Sequence, residues 1–304
     1  MVFSKDLNLV KELYNNLTKI SNLEITNLGE IKEFLGVEII RDRSKKSLVI
    51  TQRSFINKIL NKFNKVNNKA KTLPLPIGFK ISKNSDLDLN NNTIIKDYQK
   101  EIGSLIYITI FTRPDLVYSI NYLARFMSNP TLDHYNYLNK IWSYLVHTKN
   151  LGLDLTLEPN NQSNTNYSNS NKSINLIGVS DSDWGGDLDS RKSTTGNIFI
   201  INNNKDNNYK NIAISWISKL QKTVAISSAE AEYIALKEAT KESLYLQNFI
   251  KELFSYNIFK DYDLFNKVNL IKTDSLSAIE LAKNPELELH SIIYYYTITY
   301  YIFF

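Results

Sequence analysis

A long polar run divides this chain and sets the first limit on its fold. Residues Glu158–Ser173 are almost wholly Asn, Ser, Thr and Gln. Such a segment cannot bury enough apolar surface to offset the entropy of ordering it, so it is typical of a flexible linker. The sequence therefore predicts two folded parts, residues 1–157 and 174–304, joined by a linker at 158–173.

The first part mixes helical and strand patterns. Apolar residues recur at helical spacing over Asp6–Ile20 and again over Phe55–Val66. Between them, two strand-like runs flank the charged stretch Arg41–Lys46, which predicts a β-hairpin. Further helices are expected at Tyr98–Ile110, Pro114–Met127 and Leu132–His147.

The second part alternates strands with helices. Strands are expected at Ile174–Ser180, Gly196–Ile201, Ala213–Ser218 and Val268–Thr273, and helices at Ser228–Leu253 and Ser275–Lys283. Three strands, a helix, a strand and a helix predict an α/β fold with a mixed sheet.

Composition excludes several kinds of site. The chain has no cysteine, which rules out disulfide scaffolds and thiolate metal sites. It has no apolar run long enough to cross a bilayer and no signal-peptide layout at its start, so we expect an intracellular protein of the cytoplasm or nucleus with no membrane partner. A net charge of +5 is compatible with a nucleic-acid partner but does not indicate one.

Three acidic residues of the second part stand at the ends of expected elements. Asp181 and Asp274 end two strands, and Glu232 lies in the first turns of the long helix. Converging carboxylates can hold two divalent ions about 3.5 to 4 Å apart, which promote in-line attack of water on a phosphodiester. Judged from spacing alone, acids at such positions are more often helix caps or solvated residues.

Five ordered sequence blocks give these acids a context. They are Gly178–Asp187 (GVSDSDWGGD), Ser190–Gly196 (SRKSTTG), Ile214–Val224 (ISWISKLQKTV), Ser227–Tyr233 (SSAEAEY) and Thr273–Ser275 (TDS). In this order they resemble the ribonuclease H blocks of copia-type retrotransposon Pol polyproteins. The resemblance implies a ribonuclease H-like mixed sheet with helices, acting on RNA:DNA hybrids. It also implies that Asp181, Glu232 and Asp274 are catalytic ligands of Mg²⁺ or Mn²⁺.

Glu230 is the alternative to Glu232 as a ligand. Ser227 is the expected N-cap of the long helix, and Glu230 stands at the spacing of a capping box with it. Glu232 directly precedes the apolar run 233–236, and in the family the ligand lies about one turn inside the helix. We therefore expect Glu232 to bind metal and Glu230 to serve the helix N-terminus.

Other residues of the same blocks have expected secondary roles. Lys219 and Lys222 are expected to meet phosphates, with ordinary surface lysines as the alternative. Trp184 and Trp216 are expected to pack in the sheet. Capping or tuning roles, rather than metal binding, are expected for the acids Asp183, Asp187 and Asp189.

The first part resembles the end of a copia-type reverse transcriptase. The resemblance rests on Asn27–Ile39, Gly103–Tyr107, Thr112–Asp115 and Ala124–Pro130. It implies an α+β palm-end and thumb fragment whose hairpin, with Phe34, Leu35 and Gly36, contacts the primer end of a nucleic acid. The family's Tyr-X-Asp-Asp motif would stand before Met1, so we expect no DNA synthesis.

The end of the chain departs from the family pattern. After His290–Ser291 the family continues into a segment with a late acidic residue, whereas this chain continues into the uncharged run Ile292–Phe304. This run predicts a tendency to aggregate. The motif expected before Met1 and the altered segment after Ser291 leave an alternative open, namely an inactive retroelement remnant that at most binds nucleic acid. Other Pol products of the element are further expected partners.

Overall fold

A computed structural model of the chain describes residues 7–20, 26, 29–83, 92–156, 172–203, 211–255, 262–264, 270–283 and 297–300. Helices and two separate sheets make up these residues, which confirms the predicted mixture of α and β structure. Residues 158–171 of the predicted linker lie outside the described residues. Its last two residues, Lys172 and Ser173, instead begin a strand. No helix in the described ranges is long and apolar enough to cross a bilayer.

The first part combines helices with an antiparallel sheet. The helices are α1 (Leu7–Ile20), α2 (Arg53–Lys62), α3 (Asn92–Phe111), α4 (Val117–Ala124) and α5 (Leu132–Thr148), with a 3-10 turn at Pro114–Leu116 before α4. The strands are β1 (Glu33–Phe34), β2 (Val37–Asp42), β3 (Ser47–Thr51) and β4 (Leu153–Asp154), paired in that order. The predicted hairpin is present as β2 and β3. Its turn is fixed by Asp42, whose carboxylate accepts hydrogen bonds from the backbone nitrogens of Ser44 and Lys45 at 2.9 and 3.1 Å.

An apolar core holds the helices of the first part together, and Trp142 is one of its largest fully buried side chains. One acid enters this core. Glu101 is 4% exposed and accepts hydrogen bonds from the Trp142 indole at 2.6 Å and the Tyr135 hydroxyl at 2.8 Å. The Lys65 ammonium lies 3.4 Å from the same carboxylate. Burying a charge is costly unless it is paired and hydrogen-bonded, so these partners are what allow Glu101 to occupy the core.

The second part is a mixed sheet with helices. Its elements are β5 (Lys172–Asp183), β6 (Thr194–Asn203), β7 (Asn211–Leu220), α6 (Ser228–Ser255), β8 (Tyr262–Leu264), β9 (Leu270–Thr273), α7 (Leu276–Lys283) and β10 (Thr297–Tyr300). The strand order is β10-β9-β5-β6-β7, and β8 pairs with the start of β5. Strands β5, β6 and β7 are antiparallel, whereas β9 runs parallel to β5 and β10 parallel to β9. The predicted mixed sheet is therefore present, with two short strands, β8 and β10, that the sequence did not predict.

Helix α6 covers one face of this sheet. Together with α7 they form a buried core that consists of Leu176, Phe199, Leu236, Ala239, Leu246, Ile250, Ile271 and Ala282. Gly178 of β5 makes room for the Phe199 ring, because a Cβ atom at this position would lie 2.7 Å from the ring Cε1. The same packing fixes the start of α6 against the end of β5, where the acidic residues lie.

Candidate active site

Three carboxylates from separate elements meet at one edge of the mixed sheet. Asp181 lies near the end of β5, Asp274 follows the last residue of β9, and Glu232 lies near the start of α6. Each offers one oxygen atom, and these atoms all lie within 4.8 Å of one another. Because β5 and β9 are parallel neighbours, their carboxyl ends reach the same edge of the sheet, which is where α/β folds commonly place ligands.

Asp181 is held inside the strand rather than at its end. The sequence placed the end of the strand just before Asp181, but β5 continues to Asp183. Asp181 pairs with Gly196 of β6, so its backbone belongs to a regular antiparallel ladder. A carboxylate on a paired strand is positioned more rigidly than one on a loop.

Glu232 is oriented by the residue that follows Asp181. Ser182 donates to Oε1 of Glu232 from its backbone nitrogen at 3.1 Å and from its hydroxyl at 2.8 Å. The other carboxylate oxygen, Oε2, is buried and has no hydrogen-bond partner within the described part of the chain. One oxygen is thus anchored while the other is left available to a ligand.

Burial, together with the proximity of the acids, changes the proton affinity of Glu232 and Asp181. Burial raises the pKa of Glu232 to about 7, and the neighbouring Asp181 carboxylate contributes in the same direction against the hydrogen bonds from Ser182. Desolvation of its carboxyl group by neighbouring residues also raises the pKa of Asp181, although the residue as a whole is exposed, and the Asp274 carboxylate contributes in the same direction. Carboxylates this close repel one another unless a proton or a cation lies between them. An all-oxygen donor set of this kind suits a hard divalent cation such as Mg²⁺ or Mn²⁺.

Glu230 lies at the N-terminus of α6 and is not one of the three converging acids. Its backbone nitrogen donates to the Ser227 hydroxyl at 3.1 Å, and its Oε2 accepts from the backbone nitrogen of Ile226 at 2.7 Å. This arrangement resembles a capping box, with the glutamate reaching one residue further back than usual. The carboxylate of Glu230 is therefore engaged in capping the N-terminus of α6.

The other acids of the sequence blocks are engaged elsewhere. Asp183 lies 3.5 Å from the Lys80 ammonium of the first part. Asp187 accepts hydrogen bonds from Ser190 and Arg125, and Asp189 accepts one from the backbone nitrogen of Lys83. None of these three is part of the cluster of potential metal ligands found among the described residues.

The residues expected to contact nucleic acid lie on exposed surfaces. Lys219 and Lys222 are both exposed, the first on β7 and the second just after it. Phe34 and Leu35 are 48% and 61% exposed at the turn between β1 and β2, and the backbone there turns through positive φ at Leu35 and Gly36. The Tyr107 hydroxyl fixes this turn by donating to the carbonyl oxygen of Leu35.

Neither tryptophan is simply packed within the sheet, although the sequence had predicted this role. Trp184 is 52% exposed, and its indole nitrogen donates to the carbonyl oxygen of Ala225 at 3.1 Å. Trp216 is half-buried, but its indole donates to the carbonyl oxygen of Thr109 in the first part at 2.6 Å.

Sequence patterns also gave no role to Ser182, although its position directly after Asp181 was a usable signal.

Comparison with known proteins finds relatives among retrotransposon polyproteins. The chain is 33% identical over 287 residues to the retrovirus-related Pol polyprotein from transposon TNT 1-94 of Nicotiana tabacum, which covers 93% of this chain and 19% of that protein. It is 34% identical over 242 residues to the Pol polyprotein from transposon RE1 of Arabidopsis thaliana, which covers 79% of this chain and 15% of that protein. An uncharacterized mitochondrial protein of Arabidopsis thaliana is 31% identical over 216 residues, or 71% of this chain and 78% of that protein.

These similarities establish where the sequence comes from. No protein-family model and no solved structure matches the chain. It spans less than a fifth of the length of the two Pol polyproteins, yet the longer of the two matches extends over both parts of the chain. The resemblance first carried by five short blocks thus holds across nearly the whole sequence, and the chain belongs to the copia-type retrotransposon Pol polyproteins.

Proposed function

We propose that the second part of the chain is a metal-dependent ribonuclease that hydrolyses the RNA strand of RNA:DNA hybrids. The observation that carries the proposal is the convergence of Asp181, Glu232 and Asp274, whose ligand atoms lie within 4.8 Å of one another. The retroelement origin of the chain supports the choice of substrate, because its relatives are Pol polyproteins.

The donor set fits divalent cations. All three residues offer carboxylate oxygens, which are the ligands that Mg²⁺ and Mn²⁺ prefer. The buried Oε2 of Glu232, which has no partner among the described residues, is satisfied when a cation binds there. Bound divalent ions supply charge neutralisation at the scissile phosphate and a water of lowered pKa.

The chain's own residues shape the site around this chemistry. Asp181 and Asp274 are exposed, so both are open to a substrate that approaches from solvent. Ser182 holds Glu232 in one orientation, so the Glu232 carboxylate is already positioned before substrate binds. We assign Lys219 and Lys222 to phosphate contacts, because both are exposed on the segment that leads into α6.

A second nucleic-acid contact is proposed for the first part. The turn at Phe34, Leu35 and Gly36 presents two apolar side chains to solvent, as expected for a surface that packs against the end of a duplex. Proteins derived from the same polyprotein are the further partners that we propose.

The test is cleavage of a labelled RNA:DNA hybrid in Mg²⁺ or Mn²⁺. We expect the wild-type chain to cleave and Asp274→Asn to be inactive, because the variant loses a ligand without changing side-chain size. Glu280→Gln is the matched control, since Glu280 is an exposed acid of α7 that pairs only with Lys283 in the described contacts. Absence of cleavage by a folded wild-type chain would instead favour an inactive remnant.

A further inference from the structure

The two parts of the chain share a polar interface, and Arg125 is central to it. Arg125 directly follows α4. Its guanidinium donates to Oδ2 of Asp187 at 3.2 Å and to the Thr194 hydroxyl at 2.9 Å. Both partners belong to the second part. The ion pair is largely buried, with 14% of the Arg125 side chain and 8% of the Asp187 side chain exposed. The ring of Tyr122 lies 4.5 Å from the guanidinium carbon.

Arg125 contacts the loop that joins β5 to β6 and the first residue of β6. Within the loop, Oδ1 of Asp187 accepts from the nitrogen and the hydroxyl of Ser190 at 2.8 and 2.7 Å, so only Oδ2 is available to Arg125. Thr194 is the first residue of β6 and pairs with Asp183, the last residue of β5. The guanidinium therefore fixes the loop to the start of β6, which pairs with the end of β5 that carries the candidate metal ligand Asp181.

A second contact from α4 reaches the row of residues that pair with Asp181 across the sheet. Asp181 pairs with Gly196 of β6, and Gly196 pairs with Ser218 of β7. The side-chain nitrogen of Asn121, on α4, donates to the carbonyl oxygen of Ser218 at 3.0 Å. Helix α4 is thus connected to the far end of the row that begins with Asp181.

Three other contacts join the two parts nearby. They are Lys80 with Asp183 at 3.5 Å, the Lys83 nitrogen with Asp189 at 3.0 Å, and the Trp216 indole with the Thr109 carbonyl oxygen at 2.6 Å. Two of them reach β5 or the loop that follows it, so the first part contacts this edge of the sheet at several points.

We propose that the first part is a scaffold for the carboxylate site, and that Arg125 is its main positioning residue. A planar guanidinium makes two directed hydrogen bonds at once and so fixes geometry in a way that a lysine ammonium does not. The catalytic consequence rests on the ribonuclease activity proposed above. The structural consequence, a loop and strand end held in place from outside the second part, is independent of it.

The test compares Arg125→Met with Arg43→Met in the full chain. Methionine keeps an apolar stem against Tyr122 and removes the fork, whereas Arg43 is an exposed arginine paired with Glu30 in the first part. We expect faster amide hydrogen exchange over residues 181–196 in Arg125→Met alone. We also expect kcat for hybrid cleavage to fall on the order of 10- to 100-fold, with KM little changed, because the reacting groups are misplaced.

A milder variant covers the case in which Arg125→Met does not fold. Thr194→Val keeps the side-chain shape and removes only the hydroxyl that accepts from Arg125, so a smaller increase in exchange over the same residues is expected. Unchanged exchange in the folded variants overturns the scaffold proposal, whatever the activity of the chain. Faster exchange together with a wild-type chain that does not cleave supports the scaffold and counts against the proposed function alone.

Discussion

Ser182 donates two hydrogen bonds to a single carboxylate oxygen of Glu232, one from its backbone nitrogen and one from its hydroxyl. Because Ser182 directly follows Asp181 in β5, the two bonds connect two of the three converging acids through adjacent residues of one strand. The direction in which Glu232 points therefore depends on a serine that is not itself one of the converging acids.

Replacing this serine with alanine is expected to weaken divalent-cation binding. Ser182→Ala keeps the backbone donor and loses the hydroxyl, and a hydrogen bond to a charged group contributes about 1.5 to 3 kcal/mol. We expect the affinity for Mg²⁺, measured by isothermal titration, to fall on the order of tenfold. Ser277→Ala, an exposed position of α7, is the control. Equal affinities in the two variants would show that the hydroxyl does not organise the site.

Glu230 and Glu232 are separated by parallel substitutions to glutamine. Glu232→Gln is expected to reduce both cation binding and hybrid cleavage to background, because it removes a proposed ligand. Glu230→Gln is expected to retain both and to lower the free energy of unfolding by about 0.5 to 1 kcal/mol through a weaker helix cap. Chemical denaturation and titration of each variant check the two outcomes. A cation-binding defect in Glu230→Gln would reverse our assignment.

Cation binding is expected to depend on pH near neutrality. Burial, with the nearby Asp181 carboxylate, raises the pKa of Glu232 to about 7, so binding at pH 6 must displace a proton that is largely absent at pH 8. One unit below its pKa only about a tenth of a carboxyl is ionised, and we expect about tenfold weaker Mg²⁺ binding at pH 6 than at pH 8. Titrations in two buffers of different ionisation enthalpy measure the released proton. A constant affinity across this range would rule out the effect.

Two glycines give opposite predictions for the same substitution. At Gly178 an added Cβ lies 2.7 Å from the Phe199 ring, so Gly178→Ala is expected to lower the free energy of unfolding by about 1 to 3 kcal/mol. At Gly103 in α3 an added Cβ meets no described atom within 4 Å beyond its own stretch of helix, so Gly103→Ala is expected to raise it by about 0.5 to 1 kcal/mol. Denaturant titration of both variants measures the difference, and changes of the same sign would contradict the packing argument.

The sequence predicted the elements whose patterns are long enough to repeat. Strands β5, β6 and β7 and helix α6 each extend over ten residues or more, and each was predicted with errors only at its ends. Strands β4, β8 and β10 have two to four residues, too few for an alternating pattern to stand out. Their pairing depends on neighbouring strands that come from distant parts of the chain.

The candidate site was predictable from its acids but not from its supports. Asp181, Glu232 and Asp274 were found because ordered blocks marked them, and the structure brings them together. Arg125 lies in the block Ala124–Pro130, but nothing in that block predicted its contacts, since its partners Asp187 and Thr194 lie 62 and 69 residues away. A block also does not say which way a side chain points, which is why Trp184 was expected inside the sheet although it is 52% exposed.

The buried carboxylate of Glu101 is a position at which substitution is costly to the fold of the first part. Substitution of Glu101 leaves Lys65, Tyr135 and Trp142 without a partner that each now contacts. Breaking a buried charged contact costs about 3 to 5 kcal/mol, against a total stability of about 5 to 15 kcal/mol for a typical domain. Copies of the element whose folded protein is kept for a function should therefore retain all four residues, whereas copies that drift without selection should lose them as readily as any other residues.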